Sequence, residues 1–392
     1  MSWFKKNKND IVETNVIEEV EVKKEDFVFE KASVVEAEGL MKKPLTFWKD
    51  AFLRLLQNKF AVGSVIVILL MVTMAIVAPM TSKYDLNKAV SKNQTLVTQL
   101  PPRIPFVENL GIFDGTLIKE TTEARLATDY QPDEYKIIDR YTRDGVDYVK
   151  VKEYTYKIKG LENEYFYFGT DQIGRDIWTR LWYGARISLL IGFYAALIDV
   201  LIGVVYGGIA GFYGGSRLDD IMMRITEILY GIPSIVILFI LFMFLEPGIV
   251  PIAIAIALTG WIGVARMVRA QFLRLRDQEF VLAARTLGAS PFRLIMKHLI
   301  PNVVAQIVVM ASFSIPNAIF YEAFLAFIGI GMNVKTPSLG TMIDNALGTT
   351  YGAMTYVYQL IIPCVVLSIL MLSINLLANG LRDSLDPRMR GN

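Results

Sequence analysis

The stretch Glu279–Asn302 reads EFVLAARTLGASPFRLIMKHLIPN and predicts two short helices joined by a sharp turn. Its first half is rich in strong helix-forming residues. Gly288 follows at the place where a left-handed C-terminal cap is expected, because glycine has no Cβ to clash. Ser290 and Pro291 are typical of the N-cap and the first position of a second helix. Pro301 is expected to end that helix.

Long apolar windows flank this stretch in a chain of 392 residues that is 53% hydrophobic and 20% charged, with a mean hydropathy of +0.41. Soluble chains carry about 25% charged residues. A bilayer core of about 30 Å needs about 20 helical residues, and as few as ~17 suffice. We therefore predict an all-α polytopic membrane protein with six transmembrane helices, in the windows Phe60–Met80, Ile187–Tyr213, Ile225–Leu245, Ile249–Ala265, Val303–Ile330 and Tyr356–Asn379.

The distribution of charge predicts the orientation of these spans. Arg285, Arg293 and Lys297 outnumber Glu279 in the quoted stretch, and basic loops between spans tend to be cytoplasmic. Both termini are then cytoplasmic, and residues 81–168 lie outside. The net charge of +2 is too small to argue for a nucleic-acid partner.

The order of the segments predicts five parts. Residues 1–43 mix acids and bases without apolar periodicity, which is typical of a mobile cytoplasmic tail. Residues 44–59 form an amphipathic, cation-rich helix suited to the membrane interface. Residues 60–80 are the first span, residues 81–168 form an extracytoplasmic insert, and residues 169–392 form a core with five spans and the 279–302 loop.

The insert is predicted to contain β-structure. Residues Tyr135–Thr142 and Val146–Ile158 are rich in β-branched and aromatic residues, and they flank the turn Arg143-Asp144-Gly145. An Asp-Gly pair between two such runs is a strong signal for a β-hairpin.

Several kinds of chemistry are excluded by simple counts. Cys364 is the only cysteine and His298 the only histidine, so neither an intramolecular disulfide nor a metal site built on a histidine pair can form. The chain contains no Gly-Lys dipeptide, so it has no Walker A loop. We find no nucleophile–base set. We therefore predict a non-catalytic chain that binds no cofactor or metal.

The quoted stretch resembles the EAA loop of bacterial ABC importer permeases. Ala283, Ala284, Gly288 and Pro301 fall on that motif, whereas Leu282 stands where the family usually has Glu. In the family this loop forms the helices that dock on the ATPase subunit. The resemblance implies that coupling to the ATPase involves Ala283 and Ala284 through close packing, Gly288 through the turn, Arg285 and Arg293 through polar docking, and also Thr286 and Leu287.

Two further blocks extend the resemblance. FGTDQIGRD at 168–176, continued by RLWYGARISL at 180–189, and GLRDSLDPR at 380–388 are similar to the C-type permease of peptide and nickel importers. The resemblance implies the type I importer permease fold in a bacterial cell membrane. It also implies a heterodimer with a homologous permease, two ABC ATPase subunits that bind ATP and Mg, and an extracytoplasmic peptide-binding protein.

Three acidic residues, Asp199, Glu227 and Glu322, lie inside predicted spans. A charge in hydrocarbon costs ~2.5–3.5 kcal/mol on insertion scales, so such residues usually face a bundle interior or a water-filled path. They either line the translocation pathway or pack against a hydrogen-bonded partner. Asp199 is the first choice for a pathway residue.

The sequence thus predicts a permease subunit of an ATP-driven, binding-protein-dependent importer. Oligopeptides are preferred to dipeptides as the substrate, and both to nickel. An ion-coupled transporter and a membrane-anchored receptor are the alternatives from other classes. The first would show inverted repeats, and the two halves of the chain show no such symmetry.

Overall fold

The computed structural model describes residues 47–246, 249–328, 336–348 and 356–386. The predicted tail, residues 1–43, lies outside the described residues. In chain order the elements are α1 (Phe47–Gln57), α2 (Lys59–Thr81), α3 (Gln94–Val97), a 3₁₀-helical turn (Val107–Leu110), β1 (Leu117–Thr122), α4 (Glu123–Asp129), β2 (Tyr135–Arg143), β3 (Val146–Glu153), α5 (Thr155–Ile158), α6 (Ile177–Phe212), α7 (Arg217–Gly231), α8 (Ser234–Phe242), α9 (Ile249–Thr259), α10 (Trp261–Leu275), α11 (Glu279–Thr286), α12 (Pro291–Arg293), a π-helical turn (Leu294–Leu299), α13 (Ile300–Phe327), α14 (Leu339–Leu347) and α15 (Val357–Leu385).

The described helices confirm a polytopic membrane protein. Within the described ranges, five helical stretches are long and apolar enough to cross a membrane: Lys59–Thr81, Ile177–Phe212, Pro251–Leu275, Pro291–Phe327 and Val357–Leu385. Helices α7 and α8 add a sixth span if this bent pair counts as one crossing.

The predicted window Ile225–Leu245 is not one continuous helix but falls on this bent pair. Helices α7 and α8 meet at an angle of 78°. Ile232 between them is extended, with φ −88° and ψ 120°. The following residue is Pro233, and proline disfavours the α conformation in the residue before it. The chain therefore turns sharply where an apolar window alone indicates continuity.

The second span begins ten residues before its predicted window, because the basic residues there are part of the packed helix. Asp176 caps α6 by accepting a hydrogen bond of 2.8 Å from the Thr179 N–H, and burial raises the pKa of this carboxyl. Arg180 is buried and donates to the Leu86 carbonyl. In the turn before α6 the Arg175 guanidinium forms an ion pair with the Asp171 carboxylate, at 2.6 Å.

The insert between the first two spans contains the predicted hairpin within a three-stranded antiparallel sheet of order β1-β3-β2. Asp144 and Gly145 both have positive φ, 53° and 76°, which is the requirement of a type I′ hairpin turn. Strand β1 was not predicted. Strand β3 ends at Glu153 rather than at Ile158, because the chain then turns into α5 and buries Tyr156.

The prediction that Pro301 ends a helix is wrong. The chain stays helical from Pro291 to Phe327. Pro301 lies in the first turn of α13, directly after the π-helical turn, in which the Ile300 N–H donates to the Ile295 carbonyl five residues earlier. A proline is tolerated in the first turn of a helix, where its missing N–H breaks no hydrogen bond within the helix. The π-helical turn interrupts the regular α-helical hydrogen bonding just before Pro301, so that Pro301 lies in such a first turn.

Candidate functional site

The loop between α10 and α13 is the candidate functional site, and its turn has the predicted geometry. Gly288 adopts φ +83°. Its N–H donates to the Arg285 carbonyl at 3.0 Å, and the Ala289 N–H donates to the Ala284 carbonyl at 3.1 Å. These two bonds form a Schellman cap. Ser290 then caps α12 by accepting from the Arg293 N–H.

Buried aliphatic side chains fix the base of this loop. Val281 on α11 and Leu294 and Leu299 on the π-helical turn are fully buried, and they pack with Phe272 of α10 and Val303 of α13 in one cluster. The two arms of the loop therefore share a core with the membrane helices that they connect. A displacement of the loop must move that core, because packed interiors deform little.

The tip of the loop is apolar and exposed. Leu287 is 88% exposed and Phe292 is 73% exposed, and they lie on the two sides of the Gly288 turn. Phe280, Leu282 and Met296 extend the same exposed apolar character along both arms. We call these five residues the apolar tip. Of these five residues, only Leu287 is predicted from the sequence to take part in coupling, because spacing alone does not show which apolar side chains the loop leaves outside its core.

The predicted coupling residues occupy different positions in the loop. Ala284 is half-buried and packs on the core cluster, whereas Ala283 and Thr286 are exposed. Arg293 is exposed beside the turn. Arg285 is also exposed, and its guanidinium carbon lies 5.8 Å from the centre of the Phe212 ring at the end of α6, which is a cation–π distance.

Close contacts with α6 and with the turn that follows α6 hold α10, the helix that leads into the loop. Gly207 on α6 packs so tightly that an added Cβ would lie 2.2 Å from the Ala265 carbonyl oxygen. The Arg276 guanidinium donates to the Gly214 carbonyl at 2.7 Å. Glycine at such contacts lets two helices approach closely in a membrane.

The structure places the three predicted pathway acids in three separate surroundings. Asp199 is 4% exposed and lines a cavity of about 280 Å³ between α6, α8, α9, α10 and α13. Glu227 is exposed on α7 in an open, polar cleft, together with Arg224 and Arg266. The guanidinium carbon of Arg266 lies 4.8 Å from the centre of the Tyr230 ring.

Glu322 is fully buried in a helix junction rather than beside the Asp199 cavity. It accepts a hydrogen bond of 2.9 Å from the Ser188 hydroxyl on α6 and interacts with Ser338, the N-cap of α14. The backbone of Gly340 lies against Ala323 on the same helix as Glu322. These contacts make Glu322 a link between α6, α13 and α14.

Two family models match this chain. Residues 203–391 match the binding-protein-dependent transport system inner membrane component, and residues 46–102 match the N-terminal transmembrane domain of oligopeptide transport permease C.

Curated relatives agree with those models. The chain is 38% identical to the oligopeptide transport system permease protein OppC of Bacillus subtilis (strain 168) over 92% of this chain and 95% of the relative. It is 35% identical to the dipeptide transport system permease protein DppC of the same organism, over 94% and 95%. A solved structure of the MetNI methionine ABC transporter in inward-facing conformations is 19% identical, with a TM-score of 0.42, and the match covers 52% of this chain and 97% of that one.

The helical spans and the capped loop define a multi-pass membrane permease. The chain belongs to the family of binding-protein-dependent transport system inner membrane components. It is a non-catalytic permease subunit of an ABC importer, whose ATPase is a separate subunit. This assignment excludes the two alternative interpretations of the sequence, an ion-coupled transporter and a membrane-anchored receptor.

Proposed function

We propose that this chain forms half of the translocation path of an importer for oligopeptides, paired with a homologous permease subunit. Two ATPase subunits that bind ATP and Mg dock on the two permeases, and an extracytoplasmic binding protein delivers the peptide. The 38% identity to a permease named for oligopeptides supports this substrate. The 35% identity to a permease named for dipeptides keeps dipeptides as the second candidate, and neither of these relatives is named for nickel.

The apolar tip is the observation that carries the proposed coupling. Large apolar side chains that project from a polar loop favour burial against another protein. Leu287 and Phe292 present such side chains, and the buried Val281 and Leu294 connect them to the core of the spans. A partner that grips the tip can therefore transmit its movement to α10 and α13.

The charges of the same region support a cytoplasmic position for the loop. Arg274, Arg276, Arg285, Arg293 and Lys297 give it an excess of cations. In that orientation both termini are cytoplasmic, and the insert of residues 81–168 faces outside. The proposed role of the insert is to dock the binding protein.

Purification of the tagged chain in a mild detergent tests this proposal. The expected result is a complex that contains a second permease and ATPase subunits, with ATP hydrolysis that rises when a peptide-loaded binding protein is added. Purification of the chain without an ATPase, even after crosslinking, would overturn the proposed coupling. If the intact complex responds to dipeptides but not to longer peptides, only the proposed substrate changes, from oligopeptides to dipeptides.

A further inference from the structure

The face of α6 that packs on α10 carries glycines and one carboxylate. Asp199, Gly203 and Gly207 are spaced four residues apart and therefore lie on one helix face. Gly203 and Gly207 approach α10 so closely that neither leaves room for a Cβ. Opposite Asp199 stands Gly260, where an added Cβ would lie 2.4 Å from the carboxylate oxygen Oδ1. The missing side chain of Gly260 thus makes room for the Asp199 carboxylate.

A cavity of about 280 Å³ adjoins this carboxylate. Polar side chains from three other helical segments contribute to its wall: Ser234, Thr259, Ser314, Asn317 and Tyr321. Asp199 is the only charged residue among the described residues of the lining. The cavity therefore combines one negative charge with several neutral hydrogen-bonding groups.

The Asp199 carboxylate is only partly satisfied by these surroundings. The Ser314 hydroxyl hydrogen-bonds the carboxylate, whereas Oδ1 has no hydrogen-bond partner among the described residues. The side chain is nevertheless almost fully buried. A buried carboxylate without a cation or a full set of donors is unfavourable, and a ligand that supplies both would be bound strongly.

We propose that the Asp199 cavity is a binding subsite for a primary ammonium group of the transported peptide. An ammonium group brings one positive charge and three donors, which match the free oxygen of Asp199 and the neutral acceptors around it. The cavity volume of about 280 Å³ lies just below the ~300–1,000 Å³ of pockets that hold whole small molecules. It therefore receives one end or one side chain of a peptide rather than an entire oligopeptide.

This inference rests on the proposed peptide import. The ammonium group has two possible sources, the α-amino terminus and a lysine side chain. Three peptides of equal length separate them: one with a free amino terminus and no lysine, its N-acetylated form, and an N-acetylated form with one lysine. Uptake is measured in proteoliposomes with the complete transporter, and the loading of each peptide on the binding protein is measured separately and matched.

The test compares the wild-type complex with Asp199→Asn, which keeps the shape of the side chain and removes its charge. We expect the variant to transport the free-amine peptide at least about tenfold more slowly, because a charge-assisted hydrogen bond is lost. The ratio of its uptake of the free-amine peptide to its uptake of the acetylated peptide should fall toward one. The lysine peptide assigns the source: sensitivity to Asp199→Asn means that the cavity also accepts a side-chain ammonium, and insensitivity restricts it to the amino terminus.

Two further variants keep this test decisive. Asp199→Glu retains the charge and should retain the preference for a free amine, even if packing slows uptake. Glu322→Gln alters a buried carboxylate outside the cavity and should leave the preference unchanged. An equal loss for all three peptides in Asp199→Asn would overturn the ammonium subsite. So would an unchanged uptake of both the free-amine peptide and the lysine peptide relative to the acetylated peptide without lysine. Failure of the wild-type complex to import any peptide would instead overturn the proposed function.

Discussion

Arg269 on α10 binds Asp219 on α7 through two parallel hydrogen bonds, from Nε to Oδ1 at 2.6 Å and from Nη2 to Oδ2 at 2.7 Å. The Asp219 side chain is 1% exposed and also accepts a bond from the Gly215 N–H. Such bidentate pairs are geometrically specific and stronger than neutral hydrogen bonds. This pair joins the turn after α6 to the helix that leads into the candidate coupling loop.

Replacement of Asp219 by asparagine should therefore destabilise the permease. Removal of one partner from a buried ion pair costs about 3–5 kcal/mol, because the other charge is left unpaired. Arg269 is partly exposed, so we expect the lower end of this range. The measurement is the thermal stability of the detergent-solubilised protein. Asp220→Asn, at the exposed neighbouring acid, is the matched control, and equal stability of the two variants would contradict a structural role for the pair.

Gly288→Val should stop transport without preventing membrane insertion. A β-branched residue is strained at φ +83°, at a cost of about 1–3 kcal/mol, although no neighbouring atom lies within 4 Å of an added Cβ. Asparagine adopts left-handed conformations more readily, so Gly288→Asn should keep most of the transport. Uptake by the intact complex, at matched membrane levels, is the measurement. Normal uptake by Gly288→Val would show that the turn is not needed for coupling.

Substitution of the apolar tip should weaken ATPase binding. Truncation of a well-buried apolar side chain in an interface can cost about 2 kcal/mol, or roughly thirtyfold in affinity. We therefore expect Leu287→Ser and Phe292→Ser to lose ATPase subunits during purification. The apolar replacements Leu287→Met, which conserves volume, and Phe292→Leu, which keeps a large apolar side chain, should retain them. The amount of ATPase per permease is the quantity to compare, and equal recovery from all four variants would place the interface elsewhere.

Excision of the sheet tests the proposed role of the insert. Leu117 and Glu153 are paired across β1 and β3, so the chain enters and leaves the sheet at neighbouring positions. A short Gly-Ser linker in place of 117–153 should therefore leave the spans assembled, because the segment 82–104 keeps its contacts with 166–180. We expect the affinity for the binding protein to fall at least tenfold. An unchanged affinity would exclude the sheet as its docking surface.

Local signals account for what the sequence predicted correctly. The Gly288 cap, the Ser290 N-cap and the Asp144-Gly145 hairpin turn each depend on residues within a few positions of one another, and the structure has all three. The apolar windows likewise located the spans, since insertion into a bilayer depends on length and hydropathy. The coupling and pathway roles of the chosen residues remain predictions.

Contacts between distant residues account for what was missed. Asp219 and Arg269 are separated by 50 positions, and no local pattern pairs them. The separation of Glu322 from the Asp199 cavity depends on the packing of α6, α13 and α14.

The outcome at Pro301 has a local cause. Proline normally ends a helix, but here the preceding π-helical turn accommodates it.

Photo-crosslinking from the apolar tip tests the central claim most directly. A photoreactive residue is placed at Leu287, at Phe292 or, as a control, at the exposed Ile118 in the sheet of the insert. In an assembled complex that hydrolyses ATP, we predict that positions 287 and 292 crosslink to an ATPase subunit and that position 118 does not. Crosslinks from 287 and 292 only to lipid or to the partner permease, in a complex that still hydrolyses ATP, would contradict the account.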